Sequence, residues 1–423
     1  MLESLYIHNF KSFYESKFEF GELNCLIAPN NSGKSNLIEA LEFLDALIYE
    51  NPVRAIARVG FENIKNYHYN DNEMRMNASF KVQNRVLIVN ELIDYDMTAE
   101  FIFTLNFDTK KYNVDTLLYG KVKSVIIDNA DLIDGFEIVR SKNFDKYIVN
   151  QKNYLNLLSK KRFGNFHFKY NSTTLRYEIN NTSYSYTADI VKNLLALEIS
   201  KNKQELVKPI DLRKVFYRFS LFSSYYFHAH DIKRVQEVGH LTLLKNGTNL
   251  TDFLKSRNKE TFDDISTSLI GEVELINAIE LRDGFTTELL FKEEVNGKIY
   301  PIEMKNVSDG TVHFIAIMSA ILGNEYAIGM LIEEPERHMH MKVLSTILST
   351  MRDDDKQMFF TTHSTEILQQ LKLDEIIFMF RDYDGNTKGQ RAKDIPNIKK
   401  IMKLFKNDLV EMIQMGVLGE YDE

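Results

Sequence analysis

The residues with the clearest chemical promise form a short stretch near the start of the chain. It reads Ala28-Pro29-Asn30-Asn31-Ser32-Gly33-Lys34-Ser35, and Asn36 opens a helical pattern directly after it. Such a loop directs backbone amides at a phosphate group, and the following helix adds the positive end of its dipole. In this pattern the glycine allows close backbone approach, the lysine reaches the β- and γ-phosphates, and the serine hydroxyl ligates Mg²⁺. The stretch predicts nucleotide contacts from Asn30, Asn31, Ser32, Gly33, Lys34, Ser35 and Asn36.

One position departs from the strict form of this pattern. Ala28 stands where the first glycine is usual, and alanine fits there with modest adjustment if its φ is negative. The alternative is a chance match on an ordinary turn. The chain has only 18 glycines in 423 residues, and the stretch lies between a strand pattern and a helix pattern. Both observations favour a phosphate loop.

A second stretch combines a strand pattern with paired carboxylates. Met330-Leu331-Ile332 is apolar, and Glu333-Glu334-Pro335-Glu336 follows at once. Opposite a phosphate loop, the first carboxylate can hold a metal through water, and the second can polarise an attacking water. We therefore predict Glu333 as a metal ligand together with Ser35, and Glu334 as a catalytic residue. The alternative is an acidic loop after a core strand.

Two further stretches could contact a phosphate. Thr361-Thr362-His363-Ser364 follows an apolar run, and a histidine there can contact the γ-phosphate. Val307-Ser308-Asp309-Gly310-Thr311 precedes an apolar helical pattern, and a helix N-terminus of this composition can bind an anion. Each also has a simpler interpretation: a solvent-facing or capping histidine in the first, and a plain N-cap in the second.

The surrounding periodicities predict the elements that position these stretches. Strands are expected at 2–8, 23–28, 78–106, 328–332, 357–361 and 374–380, with a hairpin over 285–304 that turns at Asn296-Gly297. Helices are expected at 36–44, 187–202, 311–322, 341–351 and 395–417, and residues 250–280 fit a helix followed by a polar linkage. The alternation of strands and helices at both ends predicts a parallel sheet with helices on its faces. Residues 78–106 predict an added antiparallel layer.

The order of the motifs resembles the ATP-binding head shared by ABC transporters, structural-maintenance-of-chromosomes (SMC) proteins and RecF-type repair proteins. It is more similar to bacterial ABC-type AAA15/AAA21 ATPases, related to the ATPase half of overcoming-lysogenization-defect nucleases. The matching segments are LYIHNFKSF, LIAPNNSGKSNLIEAL, VSDGT, LIEEPERHMH and TTHS. The resemblance implies an α/β P-loop NTPase of ABC-ATPase head type, with an antiparallel β layer and an α/β insertion arm. It implies an N-terminal lobe at 1–115, the insertion at 116–225 and a C-terminal lobe at 226–423.

The resemblance also implies roles at the reacting end of the nucleotide. Lys34 and Ser35 would hold ATP and Mg²⁺, with Glu333 as the carboxylate on the metal side. Glu334 would be the general base, and His363 the switch histidine at the γ-phosphate. The implied reaction is that of an ATPase, which converts ATP and water to ADP and phosphate.

Other implied roles concern a second subunit. Ser308, Asp309 and Gly310 would form a signature loop that contacts the γ-phosphate bound to the opposite protomer. His340 would lie near the dimer seam, and Lys11 matches a basic residue that approaches the nucleotide. The chain departs from the family where Arg337-His338 replaces the usual Asn-Gly. The resemblance thus implies a homodimer or higher homo-oligomer formed through the heads.

Composition limits the classes of protein to consider. The formal net charge is −8, with 44% hydrophobic and 26% charged residues, as in ordinary globular proteins. A single cysteine, Cys25, excludes an internal disulfide, so a cytoplasmic location is expected. No apolar run of membrane-spanning length and no signal-peptide pattern is found, so no membrane partner is expected.

The segment 146–176 carries a local charge opposite to that of the whole chain. Its basic residues, with no acidic residue among them, are Lys146, Lys152, Lys160, Lys161, Arg162, Lys169 and Arg176. Aromatic residues are interleaved, so the segment is a candidate for nucleic-acid binding. A mixed surface over packed aromatic residues, or an arm that binds a protein partner, would have the same composition.

Three functions remain open from the sequence. The resemblance favours a solitary ATPase subunit, a sensor and scaffold in anti-phage defence of PARIS-like, Septu-like or abortive-infection L-like type. Its effector would be a separate nuclease or Toprim-type protein, since the C-terminal tail leaves no room for a fused one. The alternatives are a RecF- or SMC-like ATPase of DNA repair or chromosome maintenance, and an assembly module that ATP stabilises with incidental turnover.

Overall fold

The structure is a computed structural model that covers most of the chain except large parts of the central segment. It describes residues 1–29, 31–88, 91–127, 130–132, 137–140, 147–150, 167–171, 176–180, 220–234, 237–240, 242–273, 275–284, 287–324, 327–398 and 400. For residues 82–97, for 99 and for the described residues between 115 and 180, only the backbone is considered. The predicted helical pieces at 187–202, most of the predicted tail at 395–417 and the side chains of the basic segment 146–176 lie outside the described part.

The described strands are numbered in chain order. They are β1 Leu2–His8, β2 Ser16–Glu19, β3 Leu23–Ile27, β4 Glu73–Ile88, β5 Glu91–Asn106, β6 Lys111–Ile127, β7 Ala130–Leu132, β8 Glu137–Arg140, β9 Tyr147–Asn150, β10 His167–Asn171, β11 Arg176–Asn180, β12 Ser220–Tyr225, β13 Ile276–Arg282, β14 Glu288–Val295, β15 Lys298–Glu303, β16 Ala327–Glu333, β17 Gln357–Thr361, β18 Ile376–Arg381 and β19 Thr387–Arg391.

The described α-helices are numbered in the same way. They are α1 Lys34–Tyr49, α2 Pro52–Val59, α3 Phe61–Ile64, α4 Ala229–Arg234, α5 Leu250–Lys255, α6 Lys259–Thr267, α7 Asp309–Gly323, α8 Met341–Asp353 and α9 Thr365–Leu368. Within the described residues, no helix has both the length and the apolar character needed to cross a bilayer.

The chain divides into two compact units, each formed from two separate stretches. Unit 1 comprises Met1–Phe18 and Leu47–Arg218, and unit 2 comprises Glu19–Ala46 and Phe219–Glu423. The boundaries predicted at 115 and 225 divide the chain differently, and β6 runs through residue 115 without a break. The predicted lobe boundaries therefore remain predictions, because the two compact units are defined by different residues.

Unit 1 contains the antiparallel sheet. Its described strands follow the order β2-β1-β4-β5-β6-β8-β9, with β7 paired to β6. The strands β4 and β5 form a long hairpin in which Glu73 pairs with Asn106 at the open end. The antiparallel layer predicted for 78–106 is therefore confirmed, and it begins earlier and extends further than predicted.

Unit 2 contains a mixed sheet in the order β12-β16-β17-β3-β18-β19. All its described pairings are parallel except β18–β19. Every residue of β3 and of β17 is buried, as expected when helices cover both faces of a parallel sheet. The apolar helix α7 packs against α4, α5, α6 and α8. The predicted α/β fold, with a parallel sheet and an added antiparallel layer, is confirmed.

Two segments differ from the prediction. No strand was predicted at residues 220–225, within the insertion expected at 116–225, but these residues form β12 and pair in parallel with β16. Residues 276–280 were assigned to a polar linkage, but they belong to β13 and pair with β14. β16 is about 100 positions from β12 in sequence, so local composition did not reveal that pairing. β14 is the next strand after β13, but β13 is only partly buried and its polar and charged residues resemble a linkage. The hairpin turning at Asn296-Gly297 is confirmed, with β14 and β15 as its strands.

Candidate functional site

The parallel sheet brings the chemically promising stretches to one edge. In the strand register Glu333 pairs with Thr361, and Thr361 pairs with Leu26. These residues lie near the carboxyl ends of β16, β17 and β3, so the loops that follow all emerge at that edge. Neighbouring strands lie about 4.8 Å apart, which places the end of β16 about 10 Å from that of β3. That distance allows one nucleotide to contact both loops.

The stretch predicted as a phosphate loop lies between β3 and α1. Asn31 and Gly33 adopt φ values of 65° and 93°, and Leu37 donates its N–H to Gly33 O at 3.0 Å as α1 begins. The described first turn of α1 carries no acidic residue, so no carboxylate neutralises the helix dipole there. Ala28 does not adopt a positive φ, so alanine fits the position usually held by glycine. Asn30 lies outside the described residues.

Contacts from the β18–β19 hairpin hold this loop from outside. Arg381 donates from Nε to the carbonyl of Asn31 at 3.2 Å, and Thr387 donates from Oγ1 to the carbonyl of Ser32 at 3.1 Å. These two hydrogen bonds satisfy two carbonyls of the loop and restrict its conformation. The sequence did not reveal either contact, because each joins residues about 350 positions apart.

Lys34 is the lysine of the predicted phosphate loop. Its Nζ donates to the carbonyl of Ala28 at 2.6 Å, across the mouth of the loop. Partial burial lowers the pKa of Lys34, and the negative charge of Glu334 partly offsets that effect. The charge of the predicted general base therefore acts on the lysine of the predicted phosphate loop.

Glu333 lies in an acidic environment suited to a cation. Desolvation first, and then the like charges of Glu42 and Glu334, raise the pKa of Glu333, while Arg337 and Lys245 oppose this effect. A divalent cation would relieve this repulsion. Mg²⁺ prefers one or two carboxylates together with hydroxyl, water and phosphate oxygens, so Glu333 and the Ser35 hydroxyl fit it.

Glu334 is held in an unusual backbone conformation. Its φ is 45°, and its N–H donates to Thr361 O at 3.1 Å. Arg337 donates from Nε to Oε2 of Glu334 at 2.7 Å. Beside them lies an open cavity of about 310 Å³, lined by Tyr226, Phe227, His228, Glu333 and Arg337.

Glu336 connects this loop to the predicted switch histidine. Its Oε1 accepts hydrogen bonds from the Thr362 hydroxyl and from the N–H of His363, each at 2.9 Å. The imidazole of His363 is exposed at the same edge of the sheet. Glu336 thus positions the backbone at His363, a function that sequence reasoning did not assign to it.

The predicted signature loop packs against the turn that follows Glu334. A Cβ on Gly310 would lie 2.3 Å from the backbone oxygen of His338. Lys233 donates from Nζ to Val307 O and to Asp309 Oδ1, each at 2.5 Å. The hydrogen bond from Lys233 to Asp309 is the main reason why the pKa of Asp309 is lowered.

Ser308 also has the capping role that the sequence left open. Its hydroxyl accepts a hydrogen bond from the N–H of Thr311 at 3.1 Å, at the N-terminus of α7. The capping interpretation is therefore observed, and a contact with a phosphate remains a prediction.

Unit 2 brings together all the described candidate residues except Lys11. Lys11 belongs to unit 1, where its N–H donates to Ile64 O at 2.7 Å, and its approach to a nucleotide stays a prediction. His340 lies at the N-cap position of α8. Sequence reasoning missed Lys233, His228, Arg381 and Thr387, whose contacts are with residues distant in sequence. It noted Arg337 only as a departure from a family pattern.

A family model described as "AAA domain, putative AbiEii toxin, Type IV TA system" matches residues 163–369, slightly less than half of the chain. The matched range contains the predicted signature loop, the paired carboxylates and His363, but not the predicted phosphate loop.

The individual relatives have low sequence identity to this chain. A Helicobacter pylori protein named "ATP/GTP phosphatase" is 24% identical over 420 residues, covering 92% of this chain and 91% of that protein. The SMC head domain from Thermotoga maritima has 13% identity and a TM-score of 0.41, covering 92% of this chain and 98% of that one. The SmcHead bound to the C-winged helix domain of ScpA has 14% identity and a TM-score of 0.42, covering 92% and 97%.

Proposed function

We propose that this chain binds ATP with Mg²⁺ and hydrolyses it, as an ABC/SMC-like nucleotide switch. The observation that carries this proposal is the strand register, which places the loop of Lys34 after β3 and the loop of Glu334 after β16 at one edge of the parallel sheet. It combines a phosphate-binding lysine with a carboxylate able to activate water. The name of the Helicobacter pylori relative supports nucleotide hydrolysis as the reaction.

The residues divide the chemistry among them. The phosphate loop binds the triphosphate, and Lys34 exchanges its contact with Ala28 O for the β- and γ-phosphate oxygens. Ser35 and Glu333 would hold Mg²⁺, which neutralises charge on the phosphates when bound. Glu334 accepts a proton as the water oxygen bonds to the γ-phosphorus. The bond from that phosphorus to the bridging oxygen breaks, and ADP leaves with the electron pair.

A second copy of the chain would complete each site. The loop of Ser308, Asp309 and Gly310 would contact the γ-phosphate of the opposite protomer, and His363 would contact the γ-phosphate in its own subunit. ATP binding would then favour a closed pair of heads, and hydrolysis would favour an open one. A partner protein that distinguishes the closed pair from the open pair would then respond to the bound nucleotide.

For the cellular role, we propose a sensor and scaffold subunit of an anti-phage defence system that controls a separate effector, such as a nuclease. The description of the matching family names a toxin and a type IV TA system, which supports a defence role. The basic segment 146–176 is a candidate contact for nucleic acid, and its side chains lie outside the described residues.

The activity is tested with purified protein, ATP and Mg²⁺. We expect the natural chain to bind ATP and release phosphate, and Lys34→Ala to lose binding at least tenfold, because a charged hydrogen bond to phosphate contributes about 1.5–3 kcal/mol. The matched control is Lys298→Ala, which removes an exposed lysine on β15. If Lys34→Ala keeps full ATP affinity, the assignment of the phosphate loop is wrong.

The cellular role needs a separate test. The chain is purified together with the products of neighbouring genes, with and without ATP, and infected cells that carry or lack the genes are compared. Co-elution with a nuclease and protection against phage would support the defence proposal. Sensitivity to DNA damage, with no effect on infection, would favour the repair alternative instead.

A further inference from the structure

We propose that Arg337 is a positioning residue for the general base, and this inference rests on the proposed function. Arg337 occupies the turn where the chain departs from the family pattern. Its Nε donates to Glu334 Oε2 at 2.7 Å, and its Nη1 lies 2.9 Å from Nδ1 of His228. One guanidinium thus connects the carboxylate to the segment that follows β12.

The backbone of Glu334 is held independently of the Arg337 side chain. Its N–H donates to Thr361 O, and its φ of 45° is uncommon for a residue other than glycine. The remaining freedom lies in the side-chain torsions, and a planar guanidinium restricts them by holding one carboxylate oxygen. When both the backbone and the carboxylate of the general base are held, the carboxylate is already oriented to accept a proton.

His228 determines where the guanidinium can lie. It follows β12, which is paired in parallel with β16, so its position is tied to the strand that carries Glu333 and leads to Glu334. For Nδ1 to accept from Arg337, the imidazole must be neutral with its proton on Nε2. His228, Arg337 and Glu333 all line the cavity beside the carboxylates.

A contribution to stability does not explain this arrangement. The side chains of Arg337 and Glu334 are 39% and 33% exposed, and ion pairs of that kind stabilise a fold little. The geometry therefore points to orientation of the carboxylate as the purpose of the contact. Misplacement of a reacting group by about 1 Å can cost on the order of a hundredfold in rate.

The test compares single-turnover hydrolysis and ATP affinity in the full-length protein. We expect Arg337→Ala to slow hydrolysis about 10- to 100-fold while ATP affinity stays unchanged. Arg337→Lys should recover part of the rate, because an ammonium keeps the charge but cannot bridge Glu334 and His228 with a planar fork. The matched control is Arg282→Ala, which removes a comparable ion pair with Glu288 on the sheet of β13–β15.

His228→Ala provides a second, independent variant. It should slow hydrolysis less than Arg337→Ala, and the double variant should be no slower than Arg337→Ala alone, because both act through the same carboxylate. Unchanged or faster hydrolysis in Arg337→Ala, additive effects, a parallel loss of ATP affinity or an equal loss in Arg282→Ala would each overturn the proposal. If the natural chain itself does not hydrolyse ATP, the proposed function fails, and that result is separate from these.

Discussion

Gly310 lies against the backbone carbonyl of His338, so closely that a Cβ at position 310 would be 2.3 Å from the oxygen. His338 itself has a φ of 61°, and it follows Arg337 in the turn after Glu334. Gly310 lies in the first turn of α7, directly after Ser308 and Asp309. Backbone contact therefore joins the predicted signature loop to the loop of the predicted general base, within one subunit.

This contact predicts the effect of a small substitution. Gly310→Ala must displace one backbone segment, and we expect a loss of about 2–3 kcal/mol in the free energy of unfolding, measured with denaturant. The matched control is Gly385→Ala, whose Cβ would meet nothing within 4 Å but whose φ is 81°. Backbone strain alone should cost about 1 kcal/mol there. Equal losses in both variants would show that the backbone at Gly310 moves freely.

Ser308 allows capping to be separated from phosphate contact. Ser308→Ala removes the hydrogen bond from Thr311 N–H, so we expect a loss of about 1 kcal/mol in unfolding free energy. Ser308→Asp preserves a capping oxygen and should restore that stability. If Ser308 also contacts a phosphate of the opposite protomer, Ser308→Asp will be stable, but it will hydrolyse ATP more slowly than the natural chain. Full activity in Ser308→Asp would limit Ser308 to a capping role.

His313 predicts a pH dependence of stability. The side chain is buried on α7, neither ring nitrogen has a hydrogen-bond partner among the described residues, and burial lowers its pKa from 6.5 to about 4. Between those pH values the unfolded chain binds a proton that the folded chain does not. The stability associated with His313 is therefore complete above pH 6.5 and declines as the pH falls toward 4.

The loss over that window is about 3 kcal/mol, since each pKa unit corresponds to about 1.4 kcal/mol. His313→Leu removes the titrating group and leaves no unpaired polar atom, so its unfolding free energy should fall less between pH 7 and pH 4.5. Urea denaturation of both proteins at several pH values measures the difference. Parallel curves would mean that the imidazole is protonated, or finds a partner, in the folded protein.

The parts of the site that were predictable are those encoded by neighbouring residues. The phosphate loop and the pair Glu333-Glu334 each follow a short apolar run, and both spacing and residue type are local. The strand β12 was missed because this Ser-rich segment forms a strand only beside β16. The contact between Arg337 and His228 spans 109 positions, so only the folded chain reveals it.

If Glu334 activates water for the hydrolysis of ATP, Glu334→Gln removes the group that accepts the proton. Glutamine keeps the size of the side chain but cannot accept the proton. We expect ATP affinity to be retained and the single-turnover rate to fall at least about a hundredfold. Glu280→Gln, on β13, is the control and should hydrolyse ATP at the natural rate. Hydrolysis by Glu334→Gln at the natural rate would show that Glu334 is not the general base.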